Sequence, residues 1–261
     1  PRLYDTVRER LHFAGQGVRA AFYSLSFILQ RAIASKLDVD PREIDVAEPQ
    51  KEGNFGHIIL ADEQINGSGF VVDFFEHFDQ YIDGILNGGD PFFDRMLSDE
   101  HAKTCDSSCY QCLSNYSNMP YHGFLDWRLG VALLRLLTDT NYKVGLDGNF
   151  NYPELKDWTD IAYGQLSDLN KCFYNARCSV NIIKGIPYMV LPSGKYLFAI
   201  HPLWESAIPN SAGSYSNNQN QILMEICCCD LHINPDEIIT IDTFNLVRRL
   251  GTCYSYIEQL C

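Results

Sequence analysis

Three cysteines and a preceding histidine lie close together near the middle of the chain. Cys105, Cys109 and Cys112 are spaced C-x3-C-x2-C, and His101 stands just before them. The polar residues 106–108 favour a tight turn, which would let the three thiols meet at one point. Thiolates placed in this way are natural ligands of a tetrahedral zinc ion, which takes its fourth ligand from His or Cys. The spacing therefore predicts a structural Zn2+ site.

The fourth ligand can come from either side of the cysteines. His101 is the nearest imidazole and is the preferred candidate, whereas His122 follows the cysteines and is the second. Two other interpretations of the thiols stay open. One is an iron–sulfur cluster of the kind that radical enzymes use with S-adenosylmethionine, although Gln111 stands where that family usually has an aromatic residue. The other is a set of ordinary buried thiols or a redox pair.

The composition predicts a globular protein and limits its partners. At 261 residues, with 46% hydrophobic and 20% charged, the chain can bury the core of one large or two ordinary domains. A net charge of −13 argues against a protein that coats nucleic acid, but a local basic patch is compatible with it. The ten irregularly spaced cysteines favour a reducing, cytoplasmic location. No apolar run approaches the length of a membrane span, so we expect no membrane partner.

Hydrophobic periodicity predicts a first region, residues 1–140, in which helices pack on a small mixed sheet. Apolar residues recur every three or four positions along 18–37, which indicates a helix. The apolar run 56–61 indicates a buried strand. The further predicted elements are strands over 4–13 and 43–47, and helices over 70–86, 91–103 and 124–138.

A pair of acidic residues follows the predicted strand 56–61. Asp62 and Glu63 precede a Gly-rich loop and then a helix, an order that can present backbone N–H groups to an anion. The two carboxylates could bind a metal or act as a general base. Such residues more often cap a helix or line a loop, and we favour that structural role. No lysine follows the glycines, so the loop is not an ATP-binding P-loop.

A linker over 141–150 separates the first region from a second, smaller α+β region over 151–261. The elements predicted there are a helix over 153–170, a hairpin of strands 180–190 and 195–201, a polar loop over 206–220, a helix over 221–231, a strand over 237–241 and a final short helix. Asp242 and Glu205 could belong to a degenerate nuclease, but no acid-x-Lys pair lies on a strand as that chemistry requires. The predicted fold class is therefore α+β, with a Cys-rich zinc knuckle in the first region.

The start of the chain is basic although the chain as a whole is acidic. Residues 1–36 contain six Lys or Arg and two Asp or Glu. Arg8, Arg10 and Arg19 could line a strip that faces phosphates, although a solvated charged face is the commoner explanation. Arg128 and Arg135 lie on one stripe of the predicted helix 124–138 and form a second basic feature.

The first half of the chain resembles the zinc-binding C-terminal domain of the mitomycin-repair-type superfamily 2 DNA helicases. The resemblance covers about residues 4–138 and rests on T-V-R-E-R-L-H-F…A-F-Y-S-L-S-F-I-L-Q-R-A, on I-L-A-D-E-Q-I-N-G-S-G-F, and on C-D-S-S-C-Y-Q-C-L…Y-S-N-M-P-Y-H-G-F-L-D-W-R-L. The last segment is the most specific of the three. The domain is also found in helicase-associated proteins of phage-defence systems, and the N-x3-H element at 118–122 resembles that branch.

This resemblance implies a zinc module that packs on a helicase core and helps to guide DNA during ATP-driven translocation. The partners it implies are DNA and the helicase core. The residues expected to contact DNA are Arg8, Arg10, Arg19 and Arg128. The ATPase motors are absent from this chain, so we expect an accessory fragment without catalytic residues, acting in bacterial DNA repair or phage defence.

The chain departs from the repair-helicase pattern at one metal position. That form usually supplies four cysteines as C-x-C-x3-C-x2-C, and Lys103 stands here in place of the first. A lysine amine is protonated at neutral pH and is a poor zinc ligand. If the resemblance does not hold, the alternative is a stand-alone enzyme, either an iron–sulfur radical protein or a degenerate nuclease.

Overall fold

The computed structural model describes residues 15–52, 55–173, 178–204, 223, 225–234 and 237–259, and these form an α+β fold, as predicted. They divide into two compact units. One unit contains residues 18–142, and the other contains residues 15–17 together with the chain from 143 onward. The predicted strand 4–13 and the predicted loop 206–220 lie outside the described residues, as do Arg8, Arg10 and Glu205.

The unit of residues 18–142 is mainly helical. Its longest helix, α1 (Gln16–Leu37), follows the predicted apolar periodicity and is buried along most of its length. Within the described ranges, none of the helices is both long enough and apolar enough to cross a membrane. The remaining helices of this unit are α2 (Phe70–Glu76), α3 (Phe78–Leu86), α4 (Pro91–Met96), α5 (Asp99–Thr104) and α6 (Trp127–Thr138).

Two predicted helices are each divided into two shorter ones. The prediction over 70–86 corresponds to α2 and α3, which meet at His77, where the backbone leaves the helical region with φ −115° and ψ 24°. The prediction over 91–103 corresponds to α4 and α5. Ser98 begins the second of these, because its side chain accepts a hydrogen bond from the amide of His101. Local backbone geometry and capping therefore divide two segments whose apolar periodicity is continuous in the sequence.

The strands of this unit are short, with three residues each. β1 (Ile44–Val46) pairs with β4 (Leu60–Asp62), and β2 (Gln50–Glu52) pairs with β3 (Phe55–His57), both antiparallel. The run 56–61, predicted as one buried strand, instead spans the end of β3 and the start of β4. Within the described residues each of these ladders has two strands, and Ile59 between β3 and β4 is 39% exposed.

Asp62 has the structural role that we favoured from the sequence. Its carboxylate accepts hydrogen bonds from the amides of Ser68, Gly69 and Val71, at 2.7–3.0 Å. These are the backbone donors that a Gly-rich loop could have offered to an external anion. The carboxylate of Asp62 therefore closes the loop and supports the first turn of α2.

Helix α6 packs closely on α1. A Cβ atom at Gly130 would lie 2.6 Å from Ile28 Cδ1 and 2.9 Å from the Cβ of Ser24, so only glycine permits this approach. The Ser24 hydroxyl also accepts a hydrogen bond of 2.8 Å from the amide of Asp126, just before α6. Asp126 in turn caps the helix. These contacts fix the start of α6, which follows the cysteine segment.

The second unit contains a four-stranded mixed sheet in the order β5-β6-β7-β8. The strands are β5 (Val180–Ile183), β6 (Ile186–Val190), β7 (Tyr196–Ile200) and β8 (Ile238–Asp242), and β7 and β8 are parallel. The run 180–190 is thus a hairpin, not one strand. Its turn is at Lys184 and Gly185, with φ of 47° and 79°. The unit also contains α7 (Trp158–Lys171), a π-helix (Ile226–Leu231), α8 (Thr243–Arg248) and α9 (Leu250–Glu258).

Asp242 is a helix cap. Its carboxylate accepts hydrogen bonds from the backbone amide of Asn245, at 2.8 Å, and from the side-chain amide of Asn245, at 2.6 Å, at the start of α8. Burial raises the pKa of this carboxyl group to about 6. The nuclease interpretation of Asp242 therefore gains no support from its surroundings.

A buried histidine lies among aromatic rings in the same unit. The imidazole of His201 contacts Trp158 and Trp204, with ring centroids 6.0 and 6.2 Å away, and its Nδ1 accepts a hydrogen bond from the amide of Leu203. Burial disfavours the imidazolium form and lowers the pKa of His201 to about 3. His201 is therefore folded as the neutral base.

We predict that His201 makes the stability of this unit sensitive to acid. The unfolded imidazole takes up a proton near pH 6.5 and the folded one only near pH 3, so stability is lost as the pH falls through this window. Between pH 7 and 5, His201→Gln should lose about 2 kcal/mol less free energy of unfolding than the wild type. Urea titrations at the two pH values measure this, with His232→Gln, an exposed histidine, as the control. Equal losses in all three proteins would contradict the prediction.

Candidate metal centre

Helix α5 positions His101. Ser98 caps the helix, and the His101 side chain points back toward α4, where its Nδ1 donates to the carbonyl oxygen of Met96 at 2.7 Å. Because a carbonyl can only accept, Nδ1 carries a proton, and Nε2 is the nitrogen that can offer a lone pair to a metal. Nε2 lies 3.5 Å from the Sγ of Cys109. This backbone hydrogen bond on the opposite nitrogen is the arrangement that fixes metal-binding histidines in proteins.

Cys105 follows α5 directly. Its amide donates to the carbonyl of His101 at 2.9 Å, which continues the helical pattern by one residue. Residues four apart lie on the same face of a helix, so His101 and Cys105 are neighbours. The H-x3-C spacing therefore brings two candidate ligands together through local structure alone.

Cys109 and Cys112 lie on a tight turn. The amide of Cys112 donates to the Cys109 carbonyl at 3.0 Å, and the amide of Cys109 donates to the Cys112 sulfur at 3.1 Å. The amide of Ser114 donates to the same Cys109 carbonyl at 3.0 Å. The turn therefore holds the two sulfur atoms 3.7 Å apart and supplies a backbone donor to one of them.

The turn and the helix bring four potential ligand atoms together. The His101 ring and the sulfur atoms of Cys105, Cys109 and Cys112 all lie within 4.8 Å of one another. His101, Cys105 and Cys112 are buried, and Cys109 is partly accessible. Among the residues that the structure describes, this is the only group of three or more His, Cys, Asp or Glu that could hold a metal ion. The arrangement can bind a metal through three thiolates and one imidazole.

The cluster favours ionisation of one thiol before the others. The Cys105 thiol donates toward Cys112 across 3.8 Å, which lowers the pKa of Cys112 and raises that of Cys105. The amides of Cys109 and Leu113 stabilise the Cys112 thiolate further. Such coupled groups lose their protons in successive steps. Metal binding needs all three thiolates, so we expect metal affinity to fall as the pH falls.

Arg128 supports the segment that carries the cysteines. This residue of α6 is only 8% exposed, and its guanidinium donates to the carbonyl oxygens of Ala102, Cys105 and Asp106 at 2.9–3.1 Å. These carbonyls belong to the last turn of α5 and the start of the cysteine loop. The sequence suggested Arg128 as a DNA contact. The structure instead gives its donors to the backbone around Cys105, because the planar guanidinium can reach three carbonyls at once.

Trp127, next to Arg128, also contacts the cysteine segment. Its amide donates to the Ser107 carbonyl at 2.8 Å, and its ring lies 5.4 Å from that of His101. The Arg128 guanidinium lies 4.5 Å from the centre of the Trp127 ring. Trp127 is fully buried. The start of α6 therefore packs against one side of the candidate site.

His122 does not join the cluster. Its Nε2 donates to the Asn115 carbonyl at 3.0 Å and to Asn118 Oδ1 at 2.9 Å. Asn118 is buried, and its amide group donates to the Leu113 carbonyl at 2.8 Å. The N-x3-H element thus closes the loop that follows the last cysteine. Of the two histidines proposed from the sequence, the structure brings His101 to the thiols.

Arg19 is the one member of the basic strip at Arg8, Arg10 and Arg19 that the structure describes. It lies on α1, where its guanidinium contacts the Phe124 ring, 4.9 Å from the centroid, and donates to the Tyr23 hydroxyl at 3.3 Å. Its side chain therefore packs beside the loop that follows the cysteines.

Sequence reasoning missed the residues that support the ligands. Their positions in the sequence do not indicate that the carbonyl of Met96 and the side chains of Arg128 and Asn118 would support the cysteine segment. The only available signal was the four-residue separation of His101 and Cys105, which predicts that they share a helix face.

Comparisons with protein-family models, curated proteins and solved structures found no match to this chain. The proposed function therefore rests on the geometry of the metal centre and on the sequence resemblance.

We predict that His101 and His122 differ in their effect on metal binding. His101→Ala removes one of four ligands and should weaken binding by more than about 100-fold, since loss of an outer-shell partner alone costs about 10–100-fold. His122→Ala should keep the wild-type affinity, because His122 lies outside the cluster. Competition between the chain and a chromogenic chelator for Co2+ measures both. The ligand assignment fails if the two variants bind Co2+ equally.

We predict that Arg128 positions the ligands while Arg135 does not. Both arginines lie on α6 and are 8% exposed, so Arg135→Met is a matched control for Arg128→Met. Loss of the three carbonyl contacts should lower Co2+ affinity about 10–100-fold, whereas Arg135→Met should lower only the stability of the fold. Parallel measurements of thermal unfolding and Co2+ affinity separate the two effects. Equal losses of affinity would show that Arg128 acts only through general stability.

Proposed function

We propose that the metal centre binds Zn2+ as a structural site. The supporting observation is the spacing of the ligand atoms. Tetrahedral zinc with Zn–S bonds of about 2.3 Å and a Zn–N bond of about 2.0 Å needs sulfur atoms about 3.8 Å apart and a sulfur-to-nitrogen distance of about 3.5 Å. The Cys112 sulfur lies 3.8 Å from that of Cys105 and 3.7 Å from that of Cys109, and the Cys109 sulfur lies 3.5 Å from His101 Nε2, with all four ligand atoms within 4.8 Å of one another. His101, Cys105, Cys109 and Cys112 would hold the ion and join the end of α5 to the tight turn of the loop.

The same distances favour zinc over an iron–sulfur cluster. A four-iron cluster places several metal and sulfide atoms between its cysteine ligands, so those sulfur atoms stand further apart than they do around one ion. The protein ligands of such a cluster are cysteine sulfur atoms, so His101 would not be a ligand of it. The spacing of a single ion is the better fit to this site.

We propose further that the chain is a non-catalytic DNA-binding module that works with the core domains of an ATP-dependent helicase. The resemblance of residues 4–138 to the helicase-associated zinc domain supports this proposal. The excess of arginine and lysine over residues 1–36 also supports it, since phosphate contacts supply most of the affinity of such proteins for DNA. The module would help to guide DNA in bacterial repair or phage defence.

We predict that duplex DNA binding falls steeply with salt and depends on the basic strip. The logarithm of the binding constant should fall linearly with the logarithm of the salt concentration, by about 0.9 for each phosphate neutralised. Arg8→Glu with Arg10→Glu should reduce this slope by about 2. Fluorescence anisotropy with a labelled duplex of about 20 base pairs gives the slopes.

The matched control for this measurement is Arg248→Glu with Arg249→Glu, which makes the same charge change at two adjacent exposed arginines at the end of α8. The control should keep the wild-type slope. Equal slopes in both double variants would show that the strip at Arg8, Arg10 and Arg19 is a solvated face. A chain that binds no duplex even at low salt would contradict DNA binding itself.

A further inference from the structure

Two tyrosine rings next to the metal centre are exposed and in contact with each other. Tyr110 lies between the ligands Cys109 and Cys112 and is 61% exposed, and Tyr116 is 83% exposed. Their ring centroids are 5.7 Å apart. The imidazole of His122 meets the Tyr110 ring edge-on, with centroids 5.9 Å apart. We call Tyr110, Tyr116 and His122 the aromatic platform. Single exposed rings are common on proteins, but here two exposed tyrosine rings, tilted by 45° to each other, are in contact and the half-buried His122 ring meets one of them.

The platform is held in place by buried contacts on its inner side. Tyr110 occupies the tight turn of Cys109 and Cys112, so its position is set by the candidate ligands. The buried side chain of Asn118 joins the Leu113 carbonyl, the Asn115 amide and His122. The inner face of the loop is therefore held by hydrogen bonds, and Tyr110 and Tyr116 are exposed on its outer face.

Other aromatic residues of the same loop pack on α1 and are half-buried. The ring of Tyr121 packs on that of Tyr23 of α1, with centroids 5.0 Å apart, and Phe124 packs on the same ring at 5.5 Å. Tyr110 and Tyr116 lack such cover although they belong to the same short segment. The two exposed rings of Tyr110 and Tyr116 fit a surface that binds a planar ligand.

The segment that carries the aromatic platform contains no acidic residue that would repel an anion. The chain contains 33 Asp and Glu and carries a net charge of −13, yet no acidic residue occurs between positions 107 and 125. The nearest carboxylates in sequence are those of Asp106 and Asp126, and the carboxylate of Asp126 accepts from the amides of Arg128 and Leu129. The Arg19 guanidinium packs on Phe124 of the same loop. The segment that carries the two tyrosines therefore contributes no negative charge of its own that would repel a polyanion.

From these observations we propose that the aromatic platform binds single-stranded nucleic acid by stacking unpaired bases on Tyr110 and Tyr116. This inference rests on the proposed DNA-binding function and specifies which form of nucleic acid this surface takes. Exposed aromatic rings stack on the bases of single strands with little regard to sequence, because every base has a planar face. The bases of a duplex have those faces covered by their neighbours. The platform is therefore selective for strands that are already open.

The test uses the metal-loaded full chain and a fluorescein-labelled oligo(dT) of about a dozen nucleotides, within the usual site size of such proteins. Tyr116→Ala should weaken binding of this strand about tenfold, and Tyr110→Ala by a similar factor. Tyr116→Phe keeps a ring and should bind like the wild type. Tyr163→Ala, at a 40% exposed tyrosine of α7, is the matched control and should also bind like the wild type.

Binding of a duplex of about 20 base pairs, measured in parallel, separates this proposal from the proposed function. Duplex binding should be the same in the wild type and in both alanine variants. Oligo(dT) binding that Tyr110→Ala and Tyr116→Ala leave unchanged would overturn the platform and leave DNA binding standing. A wild-type chain that binds neither probe would overturn both. A wild-type chain that binds duplex but not oligo(dT) would overturn the platform alone and would leave a protein partner as the occupant of this surface.

Discussion

Three cysteine thiols and an imidazole held within 4.8 Å of one another impose the main constraint on the larger helical unit. Thiolates at this spacing repel one another, and burial of Cys105 and Cys112 removes the water that would screen them. Arg128 is a buried cation in the same region, and its guanidinium donates to three carbonyls of the segment that carries Cys105. A divalent ion among three thiolates leaves one net negative charge, and the charge of Arg31, a residue of α1, interacts with the Cys112 sulfur.

The helical scaffold is organised to keep this arrangement rigid. Gly130 allows α6 to approach α1, and Ser24 ties α1 to the residue that caps α6. The start of α6 then carries both Trp127 and Arg128 to the cysteine loop. The consequence for function is that the loop beyond the last cysteine has a fixed shape without regular secondary structure over most of its length. A metal ion bound by His101, Cys105, Cys109 and Cys112 would join the end of α5 to the tight turn of the cysteine loop.

The sequence was sufficient for features that depend on local spacing and insufficient for those that depend on packing between distant segments. The C-x3-C-x2-C spacing and the nearest imidazole predicted the four clustered side chains, because a helical turn and a tight turn are local structures. The α+β class was likewise predicted and is confirmed. Arg128 shows the limit: its charge suggested an outward-facing role, but its hydrogen bonds go to carbonyls more than 20 residues earlier in the chain. The run 180–190 shows another limit, since only the turn at Lys184 and Gly185 divides its continuous apolar pattern into two paired strands.

The central claim is that one zinc ion binds between three sulfur atoms and one nitrogen atom. X-ray absorption spectroscopy of the anaerobically purified chain tests it most directly, because it identifies the metal and its ligands together. The account predicts a zinc edge with three sulfur neighbours at about 2.3 Å and one nitrogen at about 2.0 Å. An iron edge with sulfide-bridged iron neighbours would contradict it and support an iron–sulfur protein. A zinc shell of only nitrogen and oxygen, or a chain without metal, would contradict the site itself.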